Sequence, residues 1–214
     1  MPLTISHALR HGSPMEDRDF DRVYPTEQRF RSWLHWTPID VAQRACALLA
    51  PRSGSRVLDV GAGVGKVCLV GALTTDSQWF GIERDSEMVQ AAIEAARKLH
   101  VEDRAHFLLG DITSVAWSDF DGFYLFNPFA ETLFTADSDL DALARRDAYV
   151  AHIEFVQHQL SCVGPGTRVV TYHGFGGDMP PGFDLVRREA VREDELCLWI
   201  RRGARRRAVA GTRG

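Results

Sequence analysis

The feature that most constrains the fold of this chain is a glycine-rich turn. Residues 57–65 read VLDVGAGVG, so a short apolar run of β type ends in an acid and is followed by three glycines at alternate positions. A helical pattern begins directly afterwards, at about Val64. Glycine lets a chain turn sharply and bring its backbone close to a ligand, because no Cβ stands in the way. The stretch therefore predicts a strand, a tight ligand-facing loop and a helix in succession.

The spacing of the glycines separates this loop from two other nucleotide-binding loops. A P-loop requires the pattern GxxxxGK[ST], but Val60 stands at its first glycine position and Val67 follows Lys66. A dinucleotide-binding loop requires GxGxxG, but counting from Gly61 places Lys66 at its last glycine. The spacing therefore disfavours ATP, GTP and nicotinamide dinucleotides as ligands.

Strand-type and helix-type segments alternate along the rest of the chain. They are, in order, strand 56–60, helix 64–73, strand 78–83, helix 86–99, strands 105–109 and 122–126, helix 140–160, and strands 167–172, 183–190 and 196–201. Such alternation predicts right-handed βαβ units and a parallel sheet. The last two runs have no helix between them and predict an antiparallel pair.

The N-terminal part has a different pattern. Residues 1–25 mix charge, proline and glycine without a period, and we expect a loose arm there. A helical pattern runs from about Thr26 to Ala50 and is interrupted at Thr37-Pro38, where Thr37 is the expected N-cap and Pro38 an early helical residue. The expected organisation is an arm and helical lid segment over 1–50, a ligand-binding domain over 51–202 and a flexible basic tail over 203–214.

Polar residues stand at the ends of consecutive predicted strands. Asp59 lies near the end of the first, Glu83 ends the second, Asp111 follows the third and 127–129 (Asn-Pro-Phe) follow the fourth. Ligands of open α/β sheets bind beyond the carboxyl ends of the strands, so these residues are expected on one edge. An ionised carboxylate has two acceptor oxygens and suits a ribose diol or an amino group.

The order of these sites resembles the class I S-adenosylmethionine-dependent methyltransferases. The GxGxG spacing, with Asp59 two residues before Gly61, resembles that family's first motif, and the resemblance extends over residues 37–202. It implies S-adenosyl-L-methionine as the cofactor and methyl transfer as the activity. The implied fold is α/β: a mostly parallel seven-stranded sheet with an antiparallel C-terminal strand pair and helices on both faces.

The resemblance also implies a set of cofactor-binding residues. Asp59, Gly61 and Gly63 would hold the methionine part, Glu83 the ribose, and Asp111 with Ile112 the adenine. Arg84 stands where the family usually has an aliphatic residue against the adenine, and a guanidinium plane can stack there instead. The remaining members of the expected set are Ala62, Gly65 and Asn127.

The Asn127-Pro128-Phe129 turn resembles a shortened form of the [DN]PP[YF] motif of amino-group methyltransferases, with one proline missing. Together with residues 63–67, which read GVGKV, it also resembles non-SET histone lysine methyltransferases. The resemblance implies that Asn127, Pro128 and Phe129 are the catalytic residues and face a nitrogen acceptor. The alternative is a turn that only ends a strand, since Asn and Pro are common turn residues.

Two further residues have both a functional and a structural interpretation. His173 follows the fifth predicted strand and either lines the substrate pocket, acts as a general base or is a hydrogen-bonded rim residue. His35 and Trp36 precede the Thr37 cap and either form part of a lid over the cofactor or pack in the core with Trp33.

Composition limits the possible partners. A net charge of −4 is not that of a general nucleic-acid binder, although residues 201–214 contain six arginines and no acid. We expect that basic end to be solvated, with contact to RNA or an acidic partner as the alternative.

The four cysteines form no CxxC spacing, so no metal site is expected. No segment resembles a signal peptide and no apolar run approaches the ~20 residues that span a bilayer, so a cytoplasmic location without a membrane partner is expected.

The methyl acceptor is the least constrained part of the interpretation. The resemblance of the Asn-Pro-Phe turn favours a nitrogen acceptor. No added recognition domain is visible in the sequence, which favours a small-molecule amine or a protein side chain. The alternatives are an RNA methyltransferase and a non-catalytic cofactor-binding regulatory subunit. The sequence assigns no oligomeric state.

Overall fold

The computed structural model of this chain describes residues 4–29, 36–129 and 139–203, with the backbone alone at 139–141. The helices are α1 (Ile5–Arg10), α2 (Asp17–Phe20), α3 (Thr26–Arg29), α4 (Ile39–Leu49), α5 (Lys66–Thr74), α6 (Ser86–Leu99) and α7 (Asp139–Cys162). The strands are β1 (Arg56–Val60), β2 (Gln78–Glu83), β3 (Ala105–Leu109), β4 (Gly122–Leu125), β5 (Arg168–Tyr172), β6 (Phe183–Val191) and β7 (Asp194–Arg201).

The seven strands form one sheet in the order β3-β2-β1-β4-β5-β7-β6. The first five strands pair in parallel, whereas β7 runs antiparallel between β5 and β6. The chain builds the sheet outward from β1 to β3 and then returns to place β4 on the other side of β1. The loops after β1 and β4 therefore diverge, and the crevice between them is where ligands of such sheets bind.

The sheet separates two hydrophobic cores. Val57 and Leu58 are adjacent in β1 and fully buried, yet they belong to different cores because successive strand side chains point to opposite faces. Helices α4, α5 and α6 cover the Val57 face, and the buried face of α7, including Val156 and Leu160, covers the other. None of the described helices is long and apolar enough to cross a bilayer.

The predicted fold class is confirmed. Each predicted strand is present within a few residues of its expected bounds, and the antiparallel pair closes the sheet as expected. The regular alternation of short apolar runs and amphipathic segments defines this architecture because parallel strands need helical crossovers.

The prediction of a loose arm over residues 1–25 is wrong for the part that the structure describes. Residues 4–25 contain α1, α2 and a 3₁₀ turn at Asp21–Val23. Leu9, Phe20 and Tyr24 are at most 2% exposed and join the core on the Val57 face. Helices of four and six residues have too few turns for a hydrophobic period to be visible in the sequence.

The expected cap of α4 is also wrong. Pro38, not Thr37, is the N-cap residue, and it provides no side-chain hydrogen bond. The free N–H of Ile39 instead donates to Asp17 Oδ1 at 2.8 Å, and the Thr37 hydroxyl pairs with the Tyr124 hydroxyl at 3.0 Å. A carboxylate supplied from the N-terminal segment thus replaces the local cap. Trp33, His35 and residues 204–214, to which a lid and a tail were assigned, lie outside the described residues.

Candidate active site

A cavity of about 850 Å³ lies at the carboxyl ends of the parallel strands, in the crevice between the β1 and β4 loops. This volume lies within the range of small-molecule and cofactor sites. Of the residues predicted for the site, those that line the cavity are Gly61, Gly63, Glu83, Arg84, Asp111, Ile112, Asn127, Pro128 and Phe129. The topology therefore gathers onto one surface residues that the sequence distributes over four strand ends.

The glycine loop has a backbone that other residues would strain. Gly61 has φ +75°, and a Cβ there would lie 3.0 Å from the Pro128 Cβ. Gly63 has φ +54°, and its N–H donates to Glu83 Oε2 at 2.9 Å. Positive φ and close approach together explain why this loop requires glycine and why it leaves backbone facing the cavity.

Three predicted cofactor residues do not line the cavity. A Cβ at Gly65 would overlap the Phe107 ring, so packing between loop and sheet requires glycine there, and its cofactor contact stays a prediction. The Ala62 side chain similarly packs over Gly81 of β2. Asp59 is 4% exposed beneath the loop, and burial, with repulsion from Glu83, raises its pKa from 3.8 to about 8. Contact between a cofactor and Asp59 or Ala62 stays a prediction.

The Glu83 carboxylate is already engaged by backbone groups. Its Oε1 accepts the N–H of Arg84 at 2.7 Å and of Asp85 at 3.0 Å, and its Oε2 accepts the N–H of Gly63. A carboxylate has about four acceptor positions, so about one remains for a ligand. Glu83 can therefore accept a hydrogen bond from one ribose hydroxyl of the predicted diol. It can accept from both hydroxyls if the Gly63 N–H turns to the ligand.

Asp111 presents one free oxygen to the cavity. Its Oδ1 accepts the backbone N–H and the hydroxyl of Thr113 at 3.0 and 2.9 Å. Its Oδ2 lies 3.5 Å from His152 Nε2 and 3.8 Å from Arg84 Nε. Burial raises the pKa of Asp111, but the bonds from Thr113 and the attraction to His152 and Arg84 outweigh burial and hold the pKa below its ordinary value. An ionised acceptor is thus fixed next to the buried Ile112 side chain.

The loop after β4 forms the opposite wall. Asn127 has φ +37°, a left-handed conformation that Asn tolerates better than most residues, and its N–H donates to the Gly174 carbonyl at 2.9 Å. Phe129 is 7% exposed and stacks on the His152 ring, with centroids 5.0 Å apart. The Asn-Pro-Phe turn therefore joins the β1 loop, the β5 loop and α7.

Sequence reasoning missed several residues of this wall. His152 lies on α7 and lines the cavity, and its Nδ1 is buried without a hydrogen-bond partner among the described residues. Met88 of α6, Tyr172 of β5 and the pair Glu193-Asp194 also line it. The helical pattern of α7 does not indicate which of its histidines faces a cavity. The Glu193-Asp194 pair has the composition of an ordinary polar turn, so the sequence gives no sign of its position.

His173 and Asp194 form a pair at the same end. The His173 Nδ1 is in hydrogen-bond contact with Asp194 Oδ2, and both side chains are partly exposed at the cavity wall.

Among the described residues that line the cavity, the carboxylates are Glu83, Asp85, Asp111, Glu193 and Asp194, while Arg84 is the one guanidinium or ammonium group. The wall is therefore acidic overall. The described residues include no cluster of three or more potential metal ligands.

An ion cluster ties the N-terminal segment to this site. Lys66, at the start of α5, is 3% exposed, and its Nζ lies 2.6 Å from Asp17 Oδ1 and 2.9 Å from Asp21 Oδ1. Asp17 Oδ2 also accepts from Arg192 at 3.2 Å. Burial raises the pKa of Asp17, but the hydrogen bond and the charge of Lys66 outweigh it and hold the pKa below its ordinary value. Trp36, which lines the cavity, packs edge-on against Tyr24 of the same segment.

Comparison with known proteins gives the family of the central region. Residues 51–145 match the family model described as "Methyltransferase domain". Over these residues the chain matches a methyltransferase domain, and its sheet has the class I methyltransferase fold. An 80-residue stretch is 35% identical to the 23S rRNA (uracil(1939)-C(5))-methyltransferase RlmD of Acidithiobacillus ferrooxidans, covering 37% of this chain and 18% of that protein. The chain thus spans less than a fifth of the length of this curated relative.

Solved structures agree with the fold of this methyltransferase domain. An RNA methyltransferase from Salinibacter ruber, in complex with S-adenosyl-L-homocysteine, superposes with a TM-score of 0.59 at 21% identity, covering 78% of this chain and 94% of that one. TrmN from Thermus thermophilus superposes with a TM-score of 0.60 at 20% identity, covering 86% of this chain and 52% of that one. The family predicted from the motifs is confirmed.

Proposed function

We propose that this protein transfers the methyl group of S-adenosylmethionine to a nitrogen acceptor. One observation carries the proposal: a single cavity places the open glycine loop, Glu83 and Asp111 along one side and Asn127 with Phe129 on the other. The first side matches the parts of an adenosyl-amino-acid cofactor, and the second leaves room for a second reactant at its sulfur.

The residues present fit this cofactor. The backbone at Gly61 and Gly63 leaves a cradle that side chains would fill, and the Asp111 Oδ2 is an acceptor suited to an adenine amino group. Ile82, Met88 and Ile112 provide apolar surface for the base. When bound, the cofactor supplies a methyl group on a positively charged sulfur. The chain then has to orient the acceptor and exclude water, which accounts for much of the rate gain in such displacements.

The acceptor side favours an amine. The Asn127 side chain can accept a hydrogen bond from an acceptor N–H, and Phe129 can pack on the acceptor. Glu193 and Asp194 line the same end and attract a cation. A protonated amine therefore meets complementary charge on entering, whereas a phosphate group meets repulsion.

RNA is the second candidate, because two of the similar proteins are named as RNA methyltransferases. Methyl transfer to an aromatic carbon, as in RlmD's name, commonly needs an enzyme nucleophile such as a cysteine. The described residues that line this cavity include no cysteine. An RNA acceptor would therefore be a base nitrogen or a hydroxyl, and its backbone would have to be bound away from the acidic wall.

The cofactor is tested by calorimetric titration of the purified protein with S-adenosylmethionine and, separately, with NAD. We expect saturable binding of the first and none of the second. Binding of NAD alone would overturn the cofactor assignment.

The acceptor class is tested by incubation with tritium-labelled S-adenosylmethionine and either poly-L-lysine or purified bacterial total RNA. We expect label in poly-L-lysine. Label confined to RNA would replace the amine by the second candidate. Cofactor binding without labelling of either acceptor or of a cell lysate would favour a non-catalytic regulatory subunit.

A further inference from the structure

The loop that follows β5 holds His173 in a constrained position. His173 has φ +56°, in the left-handed region that non-glycine residues rarely adopt. Its Nδ1 contacts the Asp194 carboxylate, whose Oδ1 in turn accepts the Glu195 N–H at 2.8 Å. Both partners are thus fixed by backbone and side-chain contacts, although His173 lies in the loop after β5 and Asp194 at the start of β7.

Two residues at this end of the cavity have a left-handed backbone that no helix end or hairpin loop accounts for. The non-glycine residues with positive φ in the described ranges are His100, Asn127, His173 and Arg192. His100 ends α6, where a left-handed residue is common. Arg192 opens the two-residue loop of the β6–β7 hairpin, where a left-handed residue is also common. The other two lie together at the acceptor end, because Asn127 bonds the loop of His173 through the Gly174 carbonyl. Left-handed non-glycine residues cluster at functional sites, where the surrounding structure offsets their cost.

Arg192 fixes the turn that carries Asp194. Its guanidinium donates to Asp40 Oδ1 at 2.7 Å and to Asp17 Oδ2 at 3.2 Å. The first contact joins the turn to α4 and the second to the N-terminal ion cluster. The position of the carboxylate beside His173 is therefore set by three separate parts of the chain.

The Asp194 contact determines the state of the imidazole. A carboxylate next to Nδ1 favours a proton on that nitrogen, which leaves the lone pair of the neutral ring on Nε2. The His173 side chain is 56% exposed and lines the cavity, so Nε2 is accessible both to a reactant and to water. The pair has the arrangement of a general base with an orienting carboxylate.

We propose that His173, oriented by Asp194, removes a proton from an acceptor that binds as an ammonium ion. This inference rests on the proposed function, and it narrows the substrate class to aliphatic amines, including lysine side chains. A free lysine-type amine has a pKa of about 10.4, so it arrives protonated and without a lone pair. The Asn127 amide can orient it but cannot take up its proton.

The step balances without a further reactant. Nε2 of His173 accepts one proton from the ammonium group, and the freed nitrogen lone pair forms the N–C bond to the methyl carbon. The C–S bond breaks, and its electron pair stays on sulfur to give S-adenosylhomocysteine. The products are the methylated ammonium and an imidazolium that Asp194 stabilises until it releases its proton to solvent.

The charged and titratable groups at this end agree with the assignment. The residues that line the same cavity are Glu193 of the β6–β7 turn, Asp194 at the start of β7, Tyr172 of β5 and His152 of α7. Burial, followed by repulsion from Asp194, raises the pKa of Tyr172, so its hydroxyl stays protonated and does not compete as a base. The two carboxylates favour a bound cation.

The first test needs no acceptor. In ¹⁵N-histidine-labelled protein, the His173 signals are assigned by their loss in His173→Asn, which keeps a residue that tolerates left-handed backbone. We expect the neutral ring to carry its proton on Nδ1, and Asp194→Asn to shift the population toward the Nε2-protonated form. A ring that is Nε2-protonated in the wild type, or unaffected by Asp194→Asn, overturns the proposal.

The second test uses poly-L-lysine as the probe acceptor. His173→Asn should lower kcat by about 100-fold or more at neutral pH. Its affinity for S-adenosylmethionine, measured by calorimetry, should be unchanged. The difference in kcat from the wild type should become smaller as pH rises, because solvent then deprotonates the amine. The matched control is His158→Asn, an exposed histidine of α7 that does not line the cavity, and it should behave as wild type.

The outcomes separate the two proposals. Unchanged kcat and pH dependence in His173→Asn overturn the general-base role while leaving methyl transfer to an amine intact. Failure of the wild type to bind S-adenosylmethionine contradicts the proposed function itself. Labelling of RNA alone overturns the ammonium acceptor, because a neutral base nitrogen needs no prior loss of a proton.

Discussion

The two ends of the cavity are held in place by different kinds of contact. At the end beyond β2 and β3, Glu83 accepts from the next two residues of its own loop and Asp111 from Thr113. At the end beyond β4 and β5, Asn127 bonds the Gly174 carbonyl and His173 contacts Asp194. The first end is mostly assembled by local contacts, whereas the second depends on contacts between segments distant in sequence.

This difference indicates how such a site can vary. An end held mostly by local contacts depends less on the rest of the chain, although Gly63 and His152 also contact its two carboxylates. The other end is positioned by the N-terminal segment and the β6–β7 turn through Asp17, Lys66 and Arg192. Changes in those segments would alter the acceptor wall and leave the cofactor wall in place.

The largest expected effect comes from breaking the ion cluster. Lys66→Met leaves Asp17 and the buried Asp21 carboxylate without their shared cation. Removing one partner of a buried ion pair costs about 3–5 kcal/mol, so we expect a loss of that size in the free energy of unfolding, measured by urea denaturation. Arg18→Ala breaks an exposed pair with Glu16 in the same segment and should change little. Equal effects of the two variants would mean that the segment does not anchor the acceptor end.

The next effect tests whether the acceptor end can be disabled alone. Asn127→Gly removes the amide but keeps a residue suited to φ +37°. Loss of acceptor positioning can lower turnover by about 100-fold, while affinity for S-adenosylmethionine should stay within a few-fold by calorimetry. A parallel fall of affinity and turnover would place Asn127 in the cofactor site, and no change in either would reduce the Asn-Pro-Phe turn to a structural feature.

The corresponding change at the cofactor end is Glu83→Ala. It removes a carboxylate that accepts hydrogen bonds from the backbone and, as proposed, from the cofactor. Losing hydrogen bonds to a charged group costs about 1.5–3 kcal/mol. We therefore expect affinity for S-adenosylmethionine to fall by about ten- to a hundred-fold. Glu83→Gln keeps one acceptor oxygen and should fall between wild type and Glu83→Ala. A folded Glu83→Ala protein with undiminished affinity would contradict the assignment.

A further effect concerns the dependence of stability on pH through Asp59. Burial, together with Glu83, raises its pKa from 3.8 to about 8, so the folded protein keeps a proton that the unfolded chain releases. Stability is therefore greatest below the unfolded pKa and falls as pH rises toward the folded one, by about 1.4 kcal/mol per pH unit. Asp59→Asn should lack this slope in urea unfolding between about pH 5 and 7.5. Parallel profiles for both proteins would show that Asp59 is ionised in the native state.

Sequence reasoning was strongest where one segment carries its own geometry. The spacing of Gly61, Gly63 and Gly65 and the acids Glu83 and Asp111 predicted the strand ends, the loop and their convergence, because strand alternation defines a parallel sheet with one ligand-binding edge. It was weakest at Thr37, whose expected capping role Asp17 takes over. It also gave no sign that the Phe107 ring of another strand requires the glycine at Gly65. Both features come from neighbours distant in sequence.

By itself, the sequence determined the order of the elements, the sheet class and the polar residues at the strand ends that line the cavity, since each follows from local periodicity, glycine conformation or position at a strand end. Only the tertiary structure decided that His152 of α7 stacks on Phe129 and that Asp194 meets His173. It also decided that residues 4–25 fold against the sheet. The physical reason is that buried ion pairs and cross-strand contacts join residues far apart in the chain, and no local pattern records which of them will meet.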